Sequence, residues 1–398
     1  MPQLTSPREA GPYSRHVLSL DGLRGMAVLG VMASHLFPGT TRGTLLEPVG
    51  AALHFGAYGV DLFFVLSGFL ITGILFDSTS DSGYFRKFYA RRTLRIFPLY
   101  YGVLFSLFLL TPLLGIQWHR INWALVFYLQ NTNIFGNFYA LQLVPGLSLN
   151  HFWSLAVEEQ FYLVWPFAVF FIRDLHKLIW TCFSLSLAAL LLRFILVFHN
   201  ANYDFINCST ICRADSLLFG AVLALLLRSG LHDFVLASAK KIFFAVAAVI
   251  VLLNLTRVLI EGHPEWLYVF DSSYLAMRYT LYALASAALI AWCLWPSSLP
   301  RRFFEGRTLR FFGKYSYGLY VLHYVAAGFF ISTFRGWILH LTSSKFIGVV
   351  GSGFLTFLVA IVLAYASYNL YEKQFLRMKR YFNYDRSGAA KAPSPVTQ

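Results

Sequence analysis

The sequence predicts an all-α, polytopic membrane protein of about ten transmembrane helices, and three observations carry that reading. Of 398 residues, 58% are hydrophobic and only 13% are charged, whereas a soluble domain carries about 25% charged residues. Apolar windows of roughly 17–25 residues recur along the chain. With no water in the bilayer core to satisfy their amides, such windows close their hydrogen bonds internally as helices. Lysine and arginine gather in short clusters between the windows, the pattern of inward loops. The net charge of +14 therefore reads as membrane topology and not as a nucleic-acid footprint.

In chain order the windows fall at 22–38, 57–76, 97–115, 152–172, 178–198, 213–228, 242–260, 274–295, 312–334 and 346–370. An eleventh candidate, INWALVFYLQNTNIFG, is short and ends in amides. Were it to span, every later loop would reverse and most basic residues would face outward, against the positive-inside bias. The stretch 116–150 is therefore expected to be an outward excursion, partly re-entrant. The inward loops then carry Arg86, Lys87, Arg91, Arg92 and Arg95, later Arg301, Arg302, Arg307 and Arg310, and last Lys373, Arg377, Lys379 and Arg380. This places both termini in the cytoplasm of a multi-pass protein of the cell (inner or plasma) membrane. The expected divisions are a cytoplasmic N-terminal segment at 1–17, a membrane domain at 18–376 and a basic, disordered cytoplasmic tail at 377–398. The N-terminus has no apolar signal core, and no internal repeat is evident. Four cysteines make no metal-ligand or redox motif. Cys182 and Cys293 read as packing residues, while Cys208 and Cys212 could pair in an oxidised loop.

The first window, LSLDGLRGMAVLGVMASHLF, holds Asp21, Arg24 and His35. Arg24 and His35 are eleven residues apart, about three helical turns, so they share a face roughly 16 Å apart along the axis. Intramembrane ionisable groups are functional candidates by default, with snorkelling the bland alternative for Arg24. The fourth window opens HFWSLAVEEQFYLVW, where His151, Ser154, Glu158 and Tyr162 follow a 3-4-4 spacing on one face. The adjacent acidic pair Glu158 and Glu159 is costly in an apolar run unless it lines a wet cavity or meets a cation. By inferred depth Glu158 could meet His35 and set its tautomer. The second window, GVDLFFVLSGFLITG, contributes Asp61 and Ser67, with glycines suited to close helix approach. Arg91, Arg92 and Arg95 precede Pro98 in RRTLRIFPLYY; guanidinium forks suit phosphate oxygens. Arg213 and Asp215 in RADSLLFG and Tyr320 and His323 in SYGLYVLH read as cavity lining.

Together these motifs resemble the acyltransferase-3 family of integral membrane O-acyltransferases, which includes O-antigen and peptidoglycan acetylases. They are LDGLRG with the Arg24–His35 spacing, GVDLFFVLSGFLI, RRTLRIFPLYY, FWSLAVEEQFYLVWP, RADSLLFG and SYGLYVLH, in family order over roughly 18–324. The resemblance implies a ten-helix fold that transfers an acyl group, commonly acetyl, from cytoplasmic acyl-CoA to a hydroxyl of a cell-envelope carbohydrate or glycoside. Acyl-CoA would be a co-substrate, with no tightly bound cofactor and no metal. It implies His35 as the catalytic residue, with Glu158 beside it, and Arg24, Arg91, Arg92 and Arg95 on the donor. Asp21, Asp61, Ser67, His151, Ser154, Glu159, Tyr162, Arg213, Asp215, Tyr320 and His323 would line the acceptor cavity. No esterase-like domain follows the last window, which favours direct transfer or a separate extracytoplasmic partner. Membrane lipid is the remaining partner expected, and nucleic acid is not. A transporter or flippase of a lipid-linked glycan or proton-coupled solute would use the same ionisable groups as a relay; it would move its cargo without covalent change.

Overall fold

Ten long helices carry the architecture of the computed structural model, which describes residues 17–37, 50, 53, 55–132, 141–144, 146–260 and 264–384. They are α1 (Leu18–Leu36), α2 (Gly59–Asp77), α3 (Tyr84–Leu109), α4 (Trp153–Ile172), α5 (Leu175–Phe198), α6 (Thr210–Leu226), α7 (His232–Leu259), α8 (Pro264–Leu294), α9 (Ser316–Thr342) and α10 (Lys345–Ser367). Eight stretches containing α2 and α4–α10 are long and apolar enough to cross a membrane. Helices α1 and α3, 19 and 26 residues long, complete the ten; their charged residues dilute the hydropathy. Large apolar side chains such as Phe105, Phe171, Trp180 and Leu252 are 62–76% exposed. A water-soluble surface rarely tolerates such continuous apolar area; a lipid-facing one requires it.

Among the described residues of the eleventh candidate only Arg120–Val126 is helical, seven residues or roughly 10 Å of rise, too short to span. A two-stranded antiparallel hairpin, Gln142–Val144 with Leu147–Ser148, follows. The region thus packs as an excursion: Gln160 of α4 donates to the Tyr128 carbonyl at 2.7 Å and to Asn131 at 2.8 Å.

Helix α3 differs from its expected start. It begins at Tyr84, so the arginine-rich segment is helical and Pro98 lies within the helix. A proline there removes an amide donor. Tyrosine hydroxyls bond neighbouring carbonyls: Tyr317 donates to Ile96 at 2.6 Å and Tyr371 to Pro98 at 3.2 Å. The start of the expected tail is also ordered. Arg91 donates to the carbonyls of Lys379 and Phe382 and to Asn383; residues 385–398 lie outside the described residues. All four cysteines are buried free thiols, so Cys208 and Cys212 do not pair.

Close backbone crossings set the position of α1. A Cβ at Gly25 would fall 2.0 Å from the Leu309 carbonyl oxygen, and one at Gly22 1.8 Å from that of Phe304. Only glycine permits this approach, and it presses the start of α1 against the 299–314 segment. Between α4 and α5, Asp174 caps the second helix by accepting from the Lys177 amide at 2.8 Å. That hydrogen bond holds its carboxyl below the usual carboxylate range.

Candidate active site

One end of the bundle concentrates cations. Arg24 pairs with Asp21 at 2.9 Å one turn earlier on α1. Arg92 and Arg95 of α3 stand close enough to repel it electrostatically. The Arg92 guanidinium lies 5.3 Å from the centroid of the Tyr162 ring. Glu158 and Glu159 bear on it as well. The cluster is part-buried and draws on three helices, α1, α3 and α4. Arg91, expected to join it, is instead committed to the carbonyls of the C-terminal segment. One helical step of about 100° separates it from Arg92.

From that end α4 carries a polar ladder toward the opposite face. Tyr162, Glu158 and Ser154 of α4 and His151 of the 3-10 turn before it occur at the expected spacing, and Tyr162, Ser154 and His151 find partners on neighbouring helices. The Tyr162 hydroxyl hydrogen-bonds Ser67 of α2, and Glu158 lies one turn from Tyr162 on the same face. One turn on, Ser154 hydrogen-bonds the Tyr320 hydroxyl of α9, which donates to the His151 carbonyl at 3.0 Å. Pairing of this kind is obligatory where water is scarce, since an unpaired buried polar group costs several kcal/mol. Nδ1 of His151 and, beside the ladder, Oε1 of Glu159 are among the buried atoms that have no hydrogen-bond partner among the described residues.

At the far end of the ladder three imidazoles meet. His35 Nδ1 lies 2.9 Å from His323 Nε2, with the two rings parallel to within 3°. The His151 ring is 5.3 Å from that of His323 and 5.0 Å from Tyr324, which is itself 5.0 Å from His35. His323 is wholly buried. Among the described residues no group of histidine, cysteine and acidic side chains is arranged to hold a metal ion.

The expected meeting of Glu158 with His35 is not formed. His151, in the short 3-10 turn Asn150–Phe152 that leads into α4, is the residue at the level of His35, and Glu158 sits seven residues further along, roughly 10 Å of helical rise toward the arginines. It is accordingly surrounded by the Tyr162, Ser67 and Arg92 side chains. His323, expected only as lining, takes the place beside His35.

Three more expected lining residues are locked away from any cavity. Asp61 accepts from Arg213 at 2.6 Å and from Ser216 at 3.0 Å, and Arg213 stacks 3.8 Å over Tyr279. Asp215 is gripped by both terminal nitrogens of Arg193 at 3.0 and 2.6 Å. Arg193 also donates to the Ala276 carbonyl and Thr280. This network ties α2, α5, α6 and α8 together. Arg193 and Tyr279 were not singled out from sequence. A signal existed for Arg193, a lone cation inside the apolar run LLLRFILVF.

A bundle of ten long, largely apolar helices, with a run of buried polar side chains from an arginine cluster to a histidine cluster, defines a polytopic membrane protein with ionisable groups in its interior. Comparison with known proteins gives the family. The sequence model of the acyltransferase domain family matches residues 17–365, and the chain belongs to this acyltransferase-3 family of polytopic membrane proteins. It is 31% identical over 336 residues to O-acetyltransferase OatA of Staphylococcus aureus (strain NCTC 8325 / PS 47), covering 78% of this chain and 50% of that protein. SACOL0978 of Staphylococcus aureus (strain COL) is 29% identical over 340 residues, 79% of this chain and 51% of the relative. The chain thus spans about half the length of the curated relatives it matches. No solved structure matches it.

Proposed function

We propose that this acyltransferase moves an acyl group, acetyl above all, from acyl-CoA to a hydroxyl of a cell-envelope carbohydrate or glycoside. The observation that carries the reading is the run of polar side chains along α4 between the cluster of Arg24, Arg92 and Arg95 and the imidazole of His35. The arginine end is assigned to the cytoplasm, where the phosphates of acyl-CoA meet the guanidinium forks. Arg24 and His35 stand roughly 16 Å apart along α1. An extended acyl-pantetheine arm of roughly 15–20 Å, on backbone-like bond geometry, spans that distance. Asp21 fixes the Arg24 fork, and Glu158 holds Arg92 through charge, so the carboxylate serves the donor end.

At the far end His35 takes the acceptor hydroxyl proton as the oxygen attacks the thioester carbonyl. The carbon–sulfur bond breaks, the acyl group passes to oxygen, and the thiolate leaves toward the arginines. The proton on His35 then returns to the thiolate, and the products are an ester and free thiol. A positioned base of this kind is worth about 10²–10⁴-fold in rate. The unpartnered His151 Nδ1 supplies an acceptor for a sugar hydroxyl or water at the same level. In support, the OatA relative is named for O-acetyl transfer.

The test is mass spectrometry of envelope glycans and secreted glycosides from cells with and without the gene. A gain of one acyl unit per modified sugar, dependent on the gene, is expected. Redistribution of an unchanged glycan would contradict the reading and favour transport.

A further inference from the structure

We infer that His323 is a positioning residue that fixes the protonation geometry of His35, so that the reacting nitrogen is Nε2 and not Nδ1. This rests on the proposed transfer reaction and adds the atom that performs it.

The argument is one of donors and acceptors. Nδ1 of His323 lies 2.8 Å from the Tyr320 carbonyl oxygen and 3.1 Å from that of Leu319. Carbonyl oxygens only accept, so His323 Nδ1 carries the hydrogen. In the neutral ring the lone pair then stands on Nε2, the atom 2.9 Å from His35 Nδ1. Two lone pairs cannot share that contact, so His35 Nδ1 is the donor. Its own lone pair is thereby placed on Nε2, directed away from His323.

The anchor is stiff. His323 is wholly buried within α9, and its Nδ1 partners are carbonyls of its own preceding turn, three and four residues back. Tyr320 is in turn tied to Ser154 of α4 and to the His151 carbonyl just before it. The tautomer of an α1 histidine is thus set by the backbone of α9, braced against α4. When His35 accepts the substrate proton at Nε2, the Nδ1–H bond to His323 remains. The positive charge that develops then meets a lone pair and not a competing proton.

Three variants of the full chain in lipid nanodiscs, assayed with labelled acetyl-CoA and an acceptor glycoside, test this. His323→Leu removes the acceptor, His323→Gln returns one through its side-chain carbonyl, and His35→Ala removes the base. H323L should lower kcat at least tenfold, with KM for acetyl-CoA changed by no more than about twofold; the ceiling is the 10²–10⁴-fold worth of a general base. H323Q should recover kcat to within about tenfold of the parent. If H35A is inactive while H323L keeps the parent kcat, or H323Q does no better than H323L, the positioning role is overturned and the transfer reading stands. Full activity in H35A would overturn the transfer reading itself. Nitrogen-15 NMR of histidine-labelled parent protein, with His35 assigned by difference against H35A, answers independently of how H323L folds. An unprotonated Nε2 on neutral His35 supports the inference, and an unprotonated Nδ1 overturns it.

Discussion

At the scale of single residues, the proposed reaction assigns binding to the arginine cluster and chemistry to the histidine cluster, and kinetics should separate them. Substituting His35 by alanine should lower kcat by about 10²–10⁴-fold, the worth of a general base, with little change in KM for acetyl-CoA. Arg92→Gln removes a charge-assisted hydrogen bond to a phosphate, worth about 1.5–3 kcal/mol. It should therefore raise KM for acetyl-CoA by roughly 10–10²-fold and leave kcat nearly intact. Steady-state kinetics on purified membranes checks both; a KM effect in H35A with a kcat effect in R92Q would reverse the assignment. Much of this was legible beforehand. His35 and Arg24 stand out because helical spacing puts them on one stripe, and the His151–Ser154–Glu158–Tyr162 ladder follows from period alone. The partner of His35 was not legible, because His323 lies 288 residues away and periodicity within one helix says nothing about which helix comes alongside. Arg91 was misjudged for a related reason. Its neighbour in sequence faces the site, and a step of about 100° turns it toward the C-terminal carbonyls instead.

At the scale of helices, the buried pairs Arg193–Asp215 and Arg213–Asp61 bind four elements away from the proposed chemistry. Both Arg193 and Asp215 side chains are wholly buried. Replacing Arg193 by leucine strands the Asp215 carboxylate, and such broken pairs cost about 3–5 kcal/mol. A double replacement, R193L with D215L, leaves no orphaned charge and should recover most of that loss. Thermal unfolding in detergent micelles measures the difference; equal instability of the single and double variants would contradict it. The sequence could point to Asp61, Arg213 and Asp215 only as polar residues at helix ends. Whether such a residue faces a cavity or a counter-ion depends on helix neighbours, which hydropathy does not encode. Helix boundaries shifted for similar reasons: the arginines that seemed to precede α3 lie inside it, since a helix end can carry charge into the headgroup region at little cost.

For the whole molecule, the arrangement requires that the arginine end face the cytoplasm. Exposed positions on the two faces test it by single-cysteine labelling. The four native thiols are buried and should give little background. Gln117→Cys, in the excursion after α3, should react with an impermeant reagent on intact cells. Arg302→Cys, among the basic residues before α9, should react only after permeabilisation. The opposite pattern would invert the proposed topology. The ten-helix count was readable from hydropathy and charge together, because placing the 121–136 segment across the bilayer would have exported the basic loops; among its described residues the helix is only seven residues long.

The central claim is that acyl transfer runs along the polar ladder from the arginine face to His35. The most direct measurement uses oriented proteoliposomes with labelled acetyl-CoA supplied only at the arginine face and a glycoside acceptor only at the other. Labelled ester on the acceptor with the parent protein, and none with H35A, is the predicted result. Labelled ester at equal rates in both, or acceptor without label in either, would contradict the account.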